Sequence, residues 1–356
     1  MSQNSRSAHP YVDPNTAMNI RHDRKLQSPE FVAKHAELHH YTTLDGLQGI
    51  IESNSLWATH FRFLNDSSEI YLLREPLKNA IESYLQPILS EKFQKDDRAR
   101  VTIKNSGGIS AMIKKESKHF VDSLYKTTYE SINGLPLFSP YILSFCSHSS
   151  DSEYEQVNGL LSQWRGYAGS GGYCIVLDTE KLLDMLIKEL DEYYWIHMSM
   201  NEVKYQLPND VLANMFPSLI DHINKFFDGI LSKQKPNIAG GFGPFLAGSA
   251  SLKHRGFREE REVRVVASPA EESWIPLLKR ETPNISLTLP LKPILTRLQT
   301  AASVRYISLF SELGELLPIR RVIVGPSRHQ QSNYDNAMRI CKDQFEVVRS
   351  DTPYIG

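Results

Sequence analysis

The sequence contains few of the residues that cross-link small folds or hold structural metals. Its 356 residues include three cysteines, Cys146, Cys174 and Cys341. They are far apart and form no Cys-x-x-Cys pair, so we expect neither a disulfide framework nor a zinc knuckle. Cys146 and Cys174 lie in apolar runs, where a free cysteine usually behaves as a small buried hydrophobe. A catalytic thiol is therefore not expected.

Long apolar runs and an excess of charge of one sign are also missing. No stretch approaches the roughly 18 apolar residues of a membrane span, and the N-terminus has no apolar signal core. We therefore expect a cytoplasmic protein without membrane contact. The 40 basic and 41 acidic residues give no overall attraction to nucleic acid. The composition is instead globular, with 41% hydrophobic and 23% charged residues.

The order of the patterns predicts an α+β fold. Residues 1–30 show no periodicity and are interpreted as an N-terminal arm, and residues 31–356 as a single domain. Short β-type segments alternate with segments of helical apolar spacing. Helical patterns between about 183 and 250 predict an insertion that caps the domain, and residues 90–118 predict an exposed excursion between helices.

The tract His39-His40-Tyr41-Thr42 places hydrogen-bonding side chains where a short strand leads into a helix. Such junctions are common ligand sites. The simpler alternative is that one histidine is buried and the other is exposed. Shortly afterwards, Asn65 and Asp66 form a polar turn, but Asp66 with Glu69 is also a capping box that stabilises a helix start by about 1 kcal/mol.

The tract from Trp164 to Tyr173 combines aromatic residues, one arginine and four glycines ahead of an apolar strand. Aromatic faces stack planar rings, and Arg165 suits a phosphate, so Trp164, Tyr167 and Tyr173 suggest a nucleotide-like ligand. The tract matches neither GxGxxG nor a Walker loop. The alternative is a loop that needs glycine for a tight turn.

The tract Glu260-Arg261-Glu262-Val263-Arg264 is the sharpest local feature. Strand alternation would place Glu260, Glu262 and Arg264 on one face. On a solvent-exposed face they would form a salt-bridged edge strand. In a cleft, a carboxylate would instead accept a ribose hydroxyl and stabilise positive charge at an anomeric carbon, with Arg264 holding the carboxylates in place.

The chain resembles, over residues 38–354, the prokaryotic family called domain of unknown function 2971. The resemblance supports one domain with insertions. The matching tracts are His40-Tyr41-Thr42, Leu56-Trp57-Ala58, Leu64 to Glu69, Leu143 to Cys146, Trp164 to Ala168 with Gly172-Tyr173, Phe257 to Arg264, Val322 to Pro326 and Ser350 to Tyr354.

The first tract also resembles, more distantly, the opening of the ADP-ribosyltransferase fold. This resemblance implies an ADP-ribosyltransferase-like split β-sheet core with helical insertions and NAD as substrate. It implies that His40 contacts NAD with support from Thr42, that an aromatic among Trp164, Tyr167 and Tyr173 stacks nicotinamide, and that Glu262 is catalytic with Glu260 beside it. The remaining residues predicted to bind the cofactor are Tyr41, Asn65, Asp66, Arg165 and Arg264.

The same resemblance implies an intracellular toxin or antiviral effector. It would transfer ADP-ribose to nucleic acid or protein, or hydrolyse NAD, and have an antitoxin or defence-system partner. No metal is expected in that reading. One alternative is a metal-dependent nuclease or hydrolase built on Asp66, Glu69, Glu260 and Glu262, which the absence of a neighbouring lysine in the sequence weakens. Another is a nucleotide-sensing module without turnover.

Overall fold

The computed structural model describes residues 26–64, 67–130, 139–148, 152–167, 171–234, 241–275, 289–299 and 302–353. Most of the predicted N-terminal arm therefore lies outside the described residues. The strands are β1 Glu37–Thr42, β2 Leu56–His60, β3 Tyr141–Cys146, β4 Tyr173–Asp178, β5 Trp195–Glu202, β6 Glu262–Pro269, β7 Leu295–Gln299, β8 Ala302–Leu309, β9 Ile319–Val324 and β10 Glu346–Arg349. The helices are α1 Pro29–Lys34, α2 Leu44–Ser53, α3 Arg74–Lys95, α4 Asp97–Asn105, α5 Ile109–Thr128, α6 Glu153–Asn158, α7 Leu161–Tyr167, α8 Thr179–Glu192, α9 Val211–Met215, α10 Leu219–Leu231, α11 Phe242–Ser249 and α12 Gln330–Cys341.

These strands form one large, mostly antiparallel sheet, so the predicted α+β class is confirmed. The strand order is β10-β9-β4-β1-β3-β2-β8-β7, and β6 and β5 extend the sheet from β3. The first strand leads into α2 as predicted, and the Thr43 hydroxyl accepts a hydrogen bond from Gly46 N at the helix start. The pair β9 and β10 is parallel.

Strand β3 is the branch point of the sheet. One of its edges pairs with β6 along its whole length, from Tyr141 opposite Ala267 to Cys146 opposite Glu262. The other edge is shared, because β1 contacts it at Cys146 and β2 contacts it at Tyr141 and Ile142. Strands β1 and β2 therefore diverge, and an opening lies between them beside the middle of β3.

Side-chain alternation along β3 and β6 builds a core on each face of the sheet. Ile142 and Val266 join a cluster with helices α3, α4, α5, α9, α10 and α11, whereas Leu143 and Val265 join a second cluster on the other face. The β-branched valines of β6 suit this two-sided burial, since all eight of its residues are buried.

Two sequence expectations differ from the structure. The segment 183–250 contains strand β5, which pairs with β6 and so belongs to the sheet rather than to a purely helical cap. Its sequence, Trp195-Ile-His-Met-Ser-Met, is buried on both faces in places and shows no clean period of two. The segment 90–118 is also not an exposed excursion, because Ile103, Met112 and Ile113 are buried in the helical cluster.

A buried ion pair joins α8 to the segment before β7. Lys292 Nζ lies 2.6 Å from Glu189 Oε1, and the two side chains are 1% and 0% exposed. The other carboxylate oxygen accepts a hydrogen bond from Phe310 N at 3.0 Å. Burial raises the pKa of Glu189, and Lys292 opposes that shift.

We expect Lys292→Met to destabilise the protein by about 3–5 kcal/mol, because it leaves the buried Glu189 carboxylate without its cation. Lys188→Met is the matched control. Its partner is Glu315, both side chains are 49% exposed, and its loss should change stability by less than about 1 kcal/mol. Urea unfolding of both variants checks the difference, and equal midpoints would contradict it.

Candidate functional site

The opening between β1 and β2 forms a cleft of about 410 Å³. This volume lies in the usual range of small-molecule sites. The residues that line it are His39, His40, Tyr41, Trp57, Thr59, Phe63, Leu64, Ile142 to Cys146, Gln163, Tyr167, Lys253, Phe257, Glu260, Glu262, Arg264 and Arg297. The three predicted tracts therefore each contribute to one cleft.

Both histidines of β1 line the cleft, and alternation along the strand points their side chains to opposite faces of the sheet. His40 is half-buried, and its Nδ1 lies 3.2 Å from the carbonyl oxygen of Ser144 on β3. A carbonyl only accepts, so Nδ1 carries the proton and Nε2 is an acceptor when the ring is neutral. Burial lowers the pKa of His40, which favours that neutral form. His39 is buried and stacks on His148, with ring centroids 3.5 Å apart.

Two carboxylates and two cations form a compact charged group at one end of the cleft. Arg264 donates twice to Glu262, from Nε to Oε1 at 2.6 Å and from Nη2 to Oε2 at 3.0 Å. Lys253 Nζ lies 3.1 Å from Glu262 Oε2 and 2.5 Å from Glu260 Oε2. Tyr167 donates its hydroxyl to Glu260 Oε1 at 3.1 Å. We call Lys253, Glu260, Glu262 and Arg264 the charged cluster.

Electrostatics keeps Glu262 and Lys253 ionised. Burial alone would raise the pKa of Glu262, but Arg264 and Lys253 outweigh it and hold that pKa below the ordinary value. Burial would lower the pKa of Lys253, but Glu262 and Glu260 raise it. Burial and the Glu260 charge raise the pKa of Tyr167 to about 12, so its phenol stays protonated and donates.

The two glutamates share the cleft for a different reason from the one predicted. Residues 255–260 form a 3-10 helix, and β6 begins only at Glu262. Between them, Arg261 adopts a left-handed conformation with φ 42° and pairs with Glu155. The predicted strand alternation is therefore wrong at Glu260 and Arg261, which precede the strand. The reversal at Arg261 brings Glu260 and Glu262 to the same lysine without strand alternation.

Glu260 retains more acceptor capacity than Glu262. A carboxylate offers about four acceptor positions. Glu262 uses three for Arg264 and Lys253, and Ser144 also bonds to it. Glu260 uses two, for Lys253 and Tyr167. A ligand hydroxyl in the cleft therefore finds its acceptor on Glu260 more readily.

Trp164 and Tyr173, predicted as possible stacking residues, are core residues. Trp164 is 1% exposed, packs edge-on against Tyr41 at 4.7 Å, and donates from Nε1 to Asn158 O. Tyr173 is 0% exposed and donates its hydroxyl to Asn333 O. Of the three predicted aromatics, Tyr167 lines the cleft and is 39% exposed.

The other predicted residues take mixed positions. Tyr41 lines the cleft, but its hydroxyl is held by Leu160 N at 2.8 Å and His148 Nε2 at 2.9 Å. Thr42 is half-buried at the end of β1, and Arg165 lies on the exposed face of α7. Asn65 and Asp66 lie outside the described residues.

Several cleft residues were not predicted. Lys253 precedes the Glu-rich tract by a loop and a 3-10 helix, so no local pattern links it to the carboxylates. It also removes the objection that no lysine accompanies them. Three aromatics, Trp57, Phe63 and Phe257, are each 39% exposed in the cleft. Their exposure would have indicated a ligand site, but the exposure of a side chain depends on the fold and cannot be derived from the local sequence.

A comparison with protein families gives one match. Residues 163–265 match the family described as "Protein of unknown function (DUF2971)". The match confirms the predicted resemblance for this segment, which contributes Tyr167 and the whole charged cluster to the cleft. No curated protein and no solved structure is significantly similar to the chain. Among the described residues, no helix is both long and apolar enough to cross a membrane.

The structural role of Trp164 gives a prediction. A Cβ at Gly325 would lie 2.8 Å from the Trp164 ring, whereas one at Gly166 would have nothing within 4 Å. Gly325→Ala should therefore destabilise the protein by about 1–3 kcal/mol through overpacking. Gly166→Ala, the matched control, should leave stability unchanged or slightly higher. Thermal unfolding followed by circular dichroism compares them, and similar melting temperatures would be inconsistent with a close-packed Trp164.

A second prediction concerns pH. Burial lowers the pKa of His148 from its ordinary value of 6.5 to about 4. The unfolded chain therefore takes up its proton first as pH falls, so the stability contributed by neutral His148 is complete above about pH 6.5 and lost towards pH 4. His148→Gln should lessen the pH dependence of unfolding in this window by up to about 1.4 kcal/mol per pH unit. Urea titrations at several pH values test this, and an unchanged slope would refute it.

Proposed function

We propose that this chain, which shares its central segment with the DUF2971 family, cleaves NAD at the nicotinamide glycosidic bond, as an ADP-ribosyltransferase or an NAD glycohydrolase. One observation carries the proposal. His40, Tyr167 and the two glutamates come from three separate tracts and line a single cleft where β1 and β2 diverge. This divergence is consistent with the split sheet that the distant resemblance implies.

The reaction needs a hydrogen-bond acceptor for a ribose hydroxyl and a negative charge beside the anomeric carbon. The glycosidic C–N bond breaks, and its electron pair neutralises the pyridinium nitrogen of the leaving nicotinamide. Positive charge develops at the anomeric carbon, which Glu260 stabilises at close range. A lone pair on the acceptor oxygen or nitrogen forms the new bond, and the acceptor releases its proton to solvent. Water as acceptor gives a glycohydrolase.

The other residues have supporting roles in this proposal. Arg264 and Lys253 keep Glu262 ionised and fix its position. Because Lys253 also contacts Glu260, it positions that carboxylate as well. His40 Nε2 accepts a hydrogen bond from a ribose hydroxyl, because Nδ1 donates its proton to Ser144 O. The ring of Tyr167, which is 39% exposed and lies beside Glu260, stacks the nicotinamide.

A metal-dependent hydrolase is the second candidate, because a lysine, Lys253, accompanies the two carboxylates. Charge balance argues against it. The two carboxylates already face two cations, which leaves little net negative charge for a divalent ion. Among the described residues, no three His, Cys, Asp or Glu side chains are grouped so that they could hold a metal. Activity that is abolished by EDTA and restored by Mg²⁺ would favour this candidate.

The test is release of nicotinamide from NAD, followed by mass spectrometry, with and without cell lysate and in EDTA. We expect release by the wild type in EDTA. Lysate dependence would indicate a transferase, and independence a glycohydrolase. Glu260→Gln should reduce release by about 100-fold or more, because it removes the charge that stabilises the transition state. Glu259→Gln is the matched control, since Glu259 is the exposed neighbour.

Comparison of Glu262→Gln with Glu260→Gln distinguishes a residue that stabilises the fold from one that stabilises the transition state. Glu262→Gln should lower release and also destabilise the fold, because Arg264 and Lys253 lose a buried partner. Glu260→Gln should lower release with little change in unfolding temperature, since its side chain is more exposed, at 15% against 5%. No nicotinamide from the wild type, together with tight NAD binding, would instead support a nucleotide sensor. A toxin or antiviral role, with its partner, stays a prediction.

A further inference from the structure

A second group of side chains, two of which line the cleft, has no role in the cleavage chemistry proposed above. Trp57 on β2, Tyr306 on β8 and Arg297 on β7 project from one face of the sheet, across three adjacent strands. The Trp57 and Tyr306 rings lie 4.5 Å apart, and the Arg297 guanidinium lies 5.0 Å from the centre of the Trp57 ring. Trp57 and Arg297 both line the cleft.

The charge of Arg297 distinguishes it from the cations of the charged cluster. Within the described part of the chain, no carboxylate lies within ion-pair distance of Arg297, and its buried Nε has no hydrogen-bond partner. Arg264 and Lys253, in contrast, are each neutralised by glutamate. Arg297 is therefore a donor of net positive charge in the cleft, which suits a phosphate.

The aromatic residues add a surface for a planar ring. Trp57 and Phe63 are each 39% exposed and line the cleft together with Arg297. Exposed aromatic faces beside an arginine stack nucleobases, and each stacked base contributes about 1–3 kcal/mol. The ring bound at Tyr167 and Glu260 is the nicotinamide in the proposed function, so a second ring is left for the Trp57 group.

We propose that Trp57, Phe63 and Arg297 form a subsite for the nucleoside diphosphate half of the substrate, with its base on Trp57 and its diphosphate on Arg297. This inference rests on the proposed function for its substrate, but the subsite binds a nucleoside diphosphate whether or not cleavage follows. The nicotinamide half then lies at the charged cluster.

Binding of ADP-ribose and of nicotinamide mononucleotide, measured by calorimetry, tests the subsite. We expect Trp57→Leu and Arg297→Met each to weaken ADP-ribose binding by about 10-fold or more and to leave nicotinamide mononucleotide binding within about 2-fold. Tyr154→Leu is the control, because Tyr154 is a 53% exposed aromatic on α6 outside the cleft. Circular dichroism confirms that each variant is folded.

Intrinsic fluorescence adds an independent readout. Trp57 is accessible in the cleft, so ADP should quench the wild type and quench Trp57→Phe much less, because the other three tryptophans are the same in both proteins. Wild-type ADP-ribose affinity in both variants would overturn the inference even if nicotinamide is released from NAD. ADP-ribose binding lost in both variants would support the subsite even if no nicotinamide is released. Binding of single-stranded oligonucleotide but not of ADP would also overturn it.

Discussion

The bidentate pair between Arg264 and Glu262 is the interaction on which the site depends. Both side chains are almost fully buried, at 6% and 5% exposure, so neither charge is stable without the other. The pair also reaches beyond β6. Arg264 Nη1 donates a hydrogen bond to Ala250 O at the end of α11. Glu262 accepts one from Lys253, which lies in the loop after α11. The Arg264–Glu262 pair thereby links the end of α11, strand β6 and Lys253 in the wall of the cleft.

The branching of β3 supplies the space that this pair borders. If β1 and β2 both ran along β3, its middle residues would be covered and no cleft would open there. Instead β1 pairs with the Cys146 end and β2 with the Tyr141 end. Between these ends, the Ser144 carbonyl accepts a hydrogen bond from the side chain of His40. The same strand edge that loses backbone pairing therefore gains a residue of the site.

Local sequence was sufficient for some of this and insufficient for the rest for physical reasons. The junction of strand β1 and helix α2 was predicted well, because apolar spacing is a local signal. Trp164 was misread because an aromatic beside glycines looks like a ligand loop. In the fold, Gly159 and Gly325 leave room for its ring, and a Cβ at either would lie under 3 Å from it. Only tertiary packing distinguishes these two uses of glycine.

Charge is distributed unevenly along the cleft, and this favours one orientation of a bound ligand. At one end, two carboxylates and two cations balance, and the hydrogen bonds that hold them exist before any ligand binds. In the proposed reaction, a cation that develops beside Glu260 meets a carboxylate that is already oriented, and little reorganisation opposes its stabilisation. At the other end, Arg297 contributes positive charge that no described carboxylate offsets. A ligand that carries a diphosphate therefore fits in one orientation, with the diphosphate at Arg297 and the bond that the proposed reaction breaks beside Glu260.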